Sequence, residues 1–295
     1  MADSRAPRLW IVARLLAETV ALDTRTSRHG RWAVPSPRAL RALPQPPLFV
    51  IGAPRSGTTF IGDCLGAAPS LSYHYEPPVL REVVRRVGWG DWDTRFAGRV
   101  FRLTYRSLRL LDPKANAVRV ADKTPEHAFT VQLLDAVFPG AQFVLMIRDG
   151  RDVATSLAQM PWLRGVEDGR RRGEQPRFWV EPERAQEFTS TTDFHRAVWA
   201  WRRYTEAALA ARALGADRYQ EVRYEDLTTD PRGVATKLLD FIGLWDEGDR
   251  VPFLAVASTA HGDAVGRWRS GLSGDERDCA WQEAGDLLSG LGYSP

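Results

Sequence analysis

Two short segments, about ninety residues apart, constrain the fold of this chain more than any other part of its sequence. In the first, an apolar run at 48–51 continues into Gly-Ala-Pro-Arg-Ser-Gly-Thr-Thr. In the second, an apolar run at 143–147 continues into Arg-Asp-Gly-Arg-Asp-Val-Ala-Thr-Ser. Each pattern predicts a buried strand, a turn and a helix, which is how α/β proteins present backbone N–H groups and the positive end of a helix to an anionic ligand. Two such segments predict a ligand with phosphate groups at two places.

The first segment has the spacing of a phosphate-binding P-loop, because Gly52 and Gly57 bracket four residues. Thr58 and Thr59 stand where a nucleotide triphosphatase carries Lys and then Ser or Thr. The missing Lys is the residue that reaches the β- and γ-phosphates, so the chain is poorly equipped to bind a triphosphate. Arg55 supplies a cation within the loop instead. A glycine-containing turn with no ligand is the alternative, and the complete Pro-Arg-Ser-Gly-Thr-Thr run disfavours it.

The two segments together resemble the sulfotransferases that use 3'-phosphoadenosine 5'-phosphosulfate (PAPS). The first is similar to the family's 5'-phosphosulfate loop, which implies contacts to the nucleotide from Arg55, Ser56, Gly57, Thr58 and Thr59. The second is similar to the family's 3'-phosphate motif, which implies that Arg148 and Ser156 bind that phosphate. The resemblance implies an α/β fold: a P-loop-NTPase-like, three-layer α/β/α architecture with a central, mainly parallel sheet.

Two weaker motifs extend the resemblance over residues 46–270. The run at 222–227 is similar to a family strand whose tyrosine, here Tyr224, lies near the adenine. The run at 265–269 is similar to a loop that closes over the nucleotide, which implies a 3'-phosphate contact from Arg267. Further strands are predicted at 47–53, 71–75, 117–122 and 142–147 from their apolar patterns.

Sulfuryl transfer requires a base for the acceptor and cations beside the oxygen of the leaving phosphate. Arg55 and Lys123 are the predicted cations, and Lys123 is similar to the lysine of the family's Lys-Thr-His or Lys-Thr-Pro segment. The histidine that serves as base in one branch of the family is replaced here by Pro125, which cannot take a proton. Glu76 is the predicted base instead, since several relatives carry a Glu at this distance from the loop. Strand alternation would place His74 on the same face, where it could orient the acceptor.

A capping or salt-bridging carboxylate is the structural alternative for Glu76. Two other functions stay open at this point: a P-loop nucleotide kinase, and a protein that binds PAPS or its product 3'-phosphoadenosine 5'-phosphate (PAP) without catalysis. The sequence does not choose among small-molecule, lipid and glycan acceptors.

Length and composition favour a single domain. The resemblance implies a sulfotransferase domain over residues 45–295, preceded by a helical extension over 1–44. The unpatterned stretch 159–193 is predicted to be a substrate lid or a surface insertion. A net charge of +3 fits an acidic ligand but not nucleic acid. The N-terminal apolar run at 9–22 is too short, and too interrupted by charge, to span a bilayer. It is predicted to be an amphipathic helix that packs on the domain, contacts a second subunit in a homodimer or lies on a membrane surface.

The cysteine and arginine content indicates the cellular compartment and the kind of organism to expect. Cys64 and Cys279 form neither a disulfide framework nor a metal-ligand spacing, so inert thiols and no metal are expected. The chain has 37 Arg and 3 Lys, a bias typical of GC-rich genomes. A bacterial protein in a reducing cytoplasm is therefore predicted.

Overall fold

The centre of the structure, a computed structural model, is a five-stranded sheet in which all paired neighbours are parallel. The strands, in chain order, are β1 (Leu48–Ile51), β2 (Leu71–Tyr75), β3 (Arg119–Lys123), β4 (Gln142–Ile147) and β5 (Tyr219–Arg223). Their order in the sheet is β2-β3-β1-β4-β5. The structure describes residues 10–19, 45–112, 114, 117–164 and 180–295.

Helices cover both faces of this sheet. The α-helices of the described residues are α1 (10–19), α2 (Thr58–Ala67), α3 (Pro78–Gly88), α4 (Thr94–Leu111), α5 (Val131–Val137), α6 (Gly150–Leu157), α7 (Pro161–Arg164), α8 (Ala185–Ser190), α9 (Asp193–Leu209), α10 (Tyr224–Thr229), α11 (Pro231–Ile242), α12 (Glu247–Ala257), α13 (Trp268–Gly271) and α14 (Gly274–Gly290). Short 3₁₀ turns occupy Pro125–Thr130, Pro182–Arg184 and Ala210–Leu214.

The apolar run of β1 is continuous because both faces of the strand are buried. Leu48 and Val50 pack into one core, which α2, α11 and α12 complete. Phe49 and Ile51 pack into a second core on the opposite face, which includes α3, α4, α6, α9 and α14. A strand with alternate side chains in two cores reads as an uninterrupted hydrophobic run, as in other parallel sheets. The predicted three-layer α/β/α fold is confirmed.

The central strands create a crevice at one edge of the sheet. β1 is followed by α2 on one face, whereas its neighbour β4 is followed by α6 on the other face. The chain therefore leaves these adjacent strands in opposite directions. Ligands of open parallel sheets bind at such a switch point, outside the carboxyl ends of the strands.

The strands predicted at 47–53, 71–75, 117–122 and 142–147 all form, with bounds within two residues of the prediction. The strand predicted at 222–227 is wrong beyond Arg223. Tyr224 begins α10, so it lies on the first turn of a helix and not within the sheet.

Two predicted segments are described only in part. Of the extension at 1–44, the structure describes α1, whose Thr19 Oγ1 accepts a hydrogen bond from the N–H of Val79 at 3.3 Å. Of the predicted lid at 159–193, residues 165–179 lie outside the described residues. Within the described ranges, no helix is both long enough and apolar enough to cross a membrane.

Candidate active site

Parallel pairing decides which residues meet at the edge of the sheet. The last residue of β2 is in register with Lys123, the last residue of β3, and this places Glu76 beside the lysine. The last residues of β4 and β5 are also in register, and this places Arg148 beside Tyr224. The carboxyl ends of four strands thus supply side chains to one place, with the loop after β1 between them.

The loop after β1 has a backbone that glycine makes possible. Gly52 has φ +133°, and a Cβ there would lie 2.6 Å from the carbonyl oxygen of Met146. Gly57 has φ +95°, and a Cβ there would lie 2.7 Å from the ring of Tyr224. Arg55 adopts φ +72°, a conformation that non-glycine residues take at a cost. This conformation leads into the N-terminus of α2, where free N–H groups suit a phosphate.

A side-chain contact joins the two predicted phosphate motifs. Arg55 Nε donates a hydrogen bond to Ser156 Oγ at 3.0 Å, across a sequence separation of 101 residues. Arg148 donates to the carbonyl oxygen of Arg55 at 3.1 Å and to that of Ala264. Its guanidinium carbon also lies 4.5 Å from the ring centre of Tyr224. The structure therefore brings Arg55, Arg148, Ser156 and Tyr224 together.

The arginines beside the phosphate loop have no acidic partner among the residues that the structure describes. Arg267 Nε donates to the carbonyl oxygen of Asp263 at 2.5 Å. Neither Arg267, Arg148 nor Arg55 forms an ion pair with a described residue. In addition, Ser56 Oγ and Arg148 Nε are buried with no hydrogen-bond partner in the described part of the chain. Uncompensated positive charge and unused hydrogen-bonding atoms are the features of an anion site.

Asp152 holds the loop that carries Arg267, and motif spacing alone did not assign it this role. Its two carboxylate oxygens accept hydrogen bonds from the N–H groups of Gly266 (2.7 Å) and Trp268 (2.9 Å). Asp152 lies on the first turn of α6, while its partners lie more than a hundred residues further along the chain. The only sequence signal was an acidic residue in the 3'-phosphate motif.

Glu76 and Lys123 form an ion pair at the other end of the site. Lys123 Nζ lies 2.5 Å from Glu76 Oε1, and the lysine side chain is only 2% exposed. The ring of Tyr75 covers the ammonium at 4.0 Å from its centre. Arg81 lies 3.6 Å from the second carboxylate oxygen. Lys123 is therefore a buried, oriented cation, and Glu76 is a carboxylate fixed by two cations.

The structure differs from the prediction at His74. Glu76 has φ +42°, so the extended backbone ends before it and the strand alternation does not continue. Tyr75 and Glu76 both line the cavity, whereas His74 is 2% exposed, is not among the lining residues and shares a hydrogen bond of 2.9 Å with Ser72. The prediction that His74 and Glu76 share a face is wrong, and no acceptor contact is assigned to His74.

An acidic residue that the sequence analysis missed lies beyond the ion pair. Glu126 Oε1 accepts a hydrogen bond from Arg81 Nε at 2.8 Å, and its Oε2 is buried with no hydrogen-bond partner among the described residues. Tyr204, which is 3% exposed, lines the same part of the wall. Glu126 follows the Lys-Thr-Pro segment directly, which is the signal that could have identified it.

These groups line one continuous cavity of about 1220 Å³. Its phosphate-loop end includes Arg55, Gly57, Thr58, Thr59, Arg148, Ser156, Tyr224 and Arg267. Its other end includes Glu76, Arg81, Arg85, Trp89, Lys123, Glu126, Arg203 and Tyr204. Residues flanking the undescribed part of the predicted lid, Gln159, Met160, Val180, Glu181 and Glu183, also line it.

The acidic residue at the end of β3 has a structural role. Asp122 is fully buried and accepts hydrogen bonds from Tyr105 Oη (2.8 Å) and Thr124 Oγ1 (2.6 Å). Burial acts to raise its pKa, but His127 and these hydrogen bonds outweigh that effect and lower the pKa. Its oxygens are therefore committed to Tyr105 on α4 and to Thr124, which precedes the turn that carries Glu126.

Comparison with known proteins agrees with this architecture. Residues 46–247 match the sequence profile of the Sulfotransferase family. The chain belongs to this family, which confirms the resemblance found in its sequence. Among solved structures, the sulfotransferase STF9 from Mycobacterium avium aligns with a TM-score of 0.56 and 16% identity, covering 100% of this chain and 87% of that one. The sulfotransferase STF1 from Mycobacterium tuberculosis H37Rv aligns with a TM-score of 0.50 and 18% identity, covering 90% and 81%.

Two curated relatives match this chain over only part of their own length. Protein-tyrosine sulfotransferase A of Caenorhabditis elegans is 23% identical over 217 residues, which cover 68% of this chain and 51% of that protein. The omega-hydroxy-beta-dihydromenaquinone-9 sulfotransferase Stf3 of Mycobacterium bovis is 26% identical over 175 residues, which cover 58% and 40%. The chain thus spans about half or less of the length of these relatives.

Proposed function

We propose that this protein transfers the sulfuryl group of PAPS to a hydroxyl or amine acceptor and releases PAP. The observation that carries the proposal is the Arg55–Ser156 contact, with Arg148 hydrogen-bonded to the same loop. It brings the predicted 5'-phosphosulfate loop and the predicted 3'-phosphate motif to one end of a cavity whose other end holds a lysine–carboxylate pair. A nucleotide phosphorylated on both the 3' and the 5' oxygen of its ribose fits such an arrangement.

The residues present fit the nucleotide. Ser56 Oγ and Arg148 Nε are buried and unpartnered in the described part of the chain, and phosphate oxygens would supply acceptors for both. Gly57 lets the loop pack against Tyr224, since a Cβ at this position would lie 2.7 Å from the tyrosine ring. Thr58 and Thr59 begin α2 and would donate from backbone and hydroxyl groups. Tyr224 and Arg267 would bind the adenine side and the 3'-phosphate.

The proposed reaction is an in-line transfer in which the acceptor oxygen or nitrogen bonds to sulfur as the bond from sulfur to the 5'-phosphate oxygen breaks. Glu76 takes the proton of the acceptor. Arg55, Lys123 and the N–H groups of the loop neutralise the charge that develops on the leaving phosphate. Lys123 has a second role, because its contact with Glu76 orients the base.

The other end of the cavity suits an acceptor with polar groups of its own. Arg85 and Arg203 line it together with Trp89. The free oxygen of Glu126 would accept a hydrogen bond from a second hydroxyl or amine of the acceptor. The names of the two curated relatives refer to acceptors with hydroxyl groups, a tyrosine and an omega-hydroxylated menaquinone, and this supports a hydroxyl as the group sulfated.

Calorimetric titration with PAP, ATP and AMP, each with and without Mg²⁺, tests the nucleotide assignment. We expect PAP to bind without Mg²⁺ and about 100-fold more tightly than AMP, which lacks the 3'-phosphate. Preference for ATP with Mg²⁺ would favour a nucleotide kinase instead. If PAP binds but radiolabelled PAPS gives no transfer to pooled phenol, alcohol and amine acceptors, non-catalytic binding becomes the better account.

A further inference from the structure

Helix α4 is basic along its whole length. It contains five arginines and no aspartate or glutamate. Arg95, Arg99 and Arg102 are exposed, and their spacing of four and three residues places them within about 60° around the helix axis. Arg106, also exposed, continues the same row. We call Arg95, Arg99 and Arg102 the basic face.

The basic face has no acidic partner among the described residues. Carboxylates on the two helices that pack against α4 are occupied elsewhere. On α5, Asp135 pairs with Arg218 at 2.5 Å. On α3, Glu82 pairs with Arg85 and Arg86, at 3.0 and 2.7 Å. No carboxylate of the described residues therefore neutralises the positive charge of the basic face.

This arrangement is unfavourable for an isolated helix. Like charges four residues apart, as at Arg95 and Arg99, destabilise a helix, and most exposed helices balance them with acidic residues. Leu103 lies at the edge of the row and is 50% exposed. An arginine row beside an exposed leucine is a pattern of surfaces that contact anionic lipid headgroups, where the charges bind phosphate and the apolar group enters the interface.

We propose that the basic face binds the anionic surface of a phospholipid membrane. Three arginines over about 10 Å can reach separate phosphate groups of a flat surface. The overall charge of only +3 argues against nucleic acid as the partner, because nucleic-acid binding usually requires a more extensive basic surface. The proposal concerns a surface outside the cavity and does not depend on the nucleotide.

The position of the basic face gives membrane binding a consequence for the cavity. α4 packs on α3, and α3 with the turn after it contributes Arg81, Arg85 and Trp89 to the cavity wall. A membrane held at α4 would therefore lie next to the elements that form the proposed acceptor end of the cavity. An acceptor dissolved in or attached to the bilayer would reach the cavity from that side.

Sedimentation with lipid vesicles tests the proposal. The full chain is mixed with vesicles of phosphatidylcholine alone, or with 30% phosphatidylglycerol added, at about 0.1 M and 1 M salt. The test variant is Arg99→Gln/Arg102→Gln. The control is Arg232→Gln/Lys237→Gln on α11, which removes the same charge from exposed positions outside α4. Glutamine keeps a high helix propensity at all four sites.

We expect binding to the anionic vesicles only, and its loss at 1 M salt. Each arginine near such a surface contributes about a fivefold factor, so the test variant should lower the partition coefficient about 25-fold while the control changes it less than threefold. Equal binding to both vesicle types, or equal losses in both variants, would overturn the proposal. So would tight binding of a labelled single-stranded RNA that shows the same loss. We expect calorimetry with PAP to be unaffected by these variants, because none of the four residues lines the cavity, so failure here is distinct from failure of the proposed function.

Discussion

Arg148 and Arg151 are three residues apart and have different surroundings. Arg151 donates to both carboxylate oxygens of Asp149, at 3.0 and 2.8 Å, and lies 3.6 Å from the ring centre of Trp268. Its charge is neutralised and its role is structural. Within the described part of the chain, Arg148 donates only to carbonyl oxygens, so its charge is available to a ligand.

Replacement of Arg148 by alanine should weaken the binding of PAP about 30- to 100-fold, the cost of losing charge-assisted hydrogen bonds to one phosphate. AMP has no 3'-phosphate, so its affinity should change less than about threefold. Titration calorimetry of both ligands with both proteins measures the difference. Equal losses for PAP and AMP would mean that Arg148 supports the fold of the site and not the 3'-phosphate.

Replacement of Glu76 by glutamine should lower the rate of sulfuryl transfer about 10²- to 10⁴-fold, because the amide cannot take the acceptor proton. The affinity for PAP should stay within about threefold of the original, since the change is small in volume. Glu183→Gln is the control, because Glu183 also lines the cavity but is exposed. If Glu76→Gln transfers sulfate at the original rate, the base is another group, and Glu126 is the next to change.

At the scale of the elements, the loop after β1 depends on two separate properties of Gly57. Its φ of +95° disfavours any side chain, and its Cβ position is taken by the ring of Tyr224. Gly215 has a similar φ of +83° but nothing within 4 Å of its Cβ position. Comparing substitutions at the two glycines therefore separates the energetic cost of backbone strain from that of a steric clash.

Gly57→Ala should therefore destabilise the protein more than Gly215→Ala. We expect about 1 kcal/mol for Gly215→Ala, from strain alone, and about 2 to 4 kcal/mol for Gly57→Ala. Urea unfolding of both variants gives these free energies. PAP affinity should fall more than about tenfold in Gly57→Ala alone, because displacing Tyr224 also displaces Arg148. Similar losses of PAP affinity in the two variants would contradict a specific role for the loop.

Strand positions and the phosphate loop followed from sequence because they are local. An apolar run that ends at a glycine turn gives a buried strand wherever it occurs, so β1 and β4 were predictable. The acidic contacts of the site are not local. Arg81 meets Glu126 across 45 residues, and Asp152 holds a loop 114 residues away. Such pairs follow from the packing of α3 and α6, which residue patterns do not specify.

His74 and Tyr224 show a second limit of sequence patterns. Alternation predicts a face only while the backbone stays extended, and the left-handed φ of Glu76 ends it one residue earlier than assumed. The strand predicted through Tyr224 failed in the same way, since its last residues belong to α10. In both cases the error lies at the end of a strand, where the site residues are.

At the scale of the whole molecule, one carboxylate adds polar contacts to the apolar packing between helix α14 and the long helix α9. Glu283 on α14 accepts hydrogen bonds from Arg184 and from Arg202, both at 2.8 Å. It also shares a hydrogen bond of 2.9 Å with His195, which lies on α9 together with Arg202. Its side chain is only 4% exposed. The carboxylate of Glu187 also lies close to these side chains and pairs with Arg184. Because both oxygens of Glu283 already accept hydrogen bonds from the arginines and the histidine, the cluster is an ion-pair network.

This network predicts how stability depends on pH. Burial acts to raise the pKa of Glu283, but the hydrogen bonds from His195 and Arg184 and the charge of Arg202 outweigh it and lower the pKa to about 2, from an ordinary value of 4.5. The unfolded chain therefore takes up this proton near pH 4.5 and the folded protein only near pH 2, so the stabilisation is complete above pH 4.5 and is lost between those values.

Glu283→Gln should lower the free energy of unfolding by about 2 kcal/mol at pH 7, and by less as the pH falls from 4.5. Glu206→Gln removes an exposed partner of Arg202 and should cost less than about 0.5 kcal/mol at every pH. Urea unfolding at pH 7, 5, 4 and 3.5 measures the free energy of unfolding of both variants. If the loss caused by Glu283→Gln has the same size over this range, the ionised carboxylate does not help to join α14 to α9.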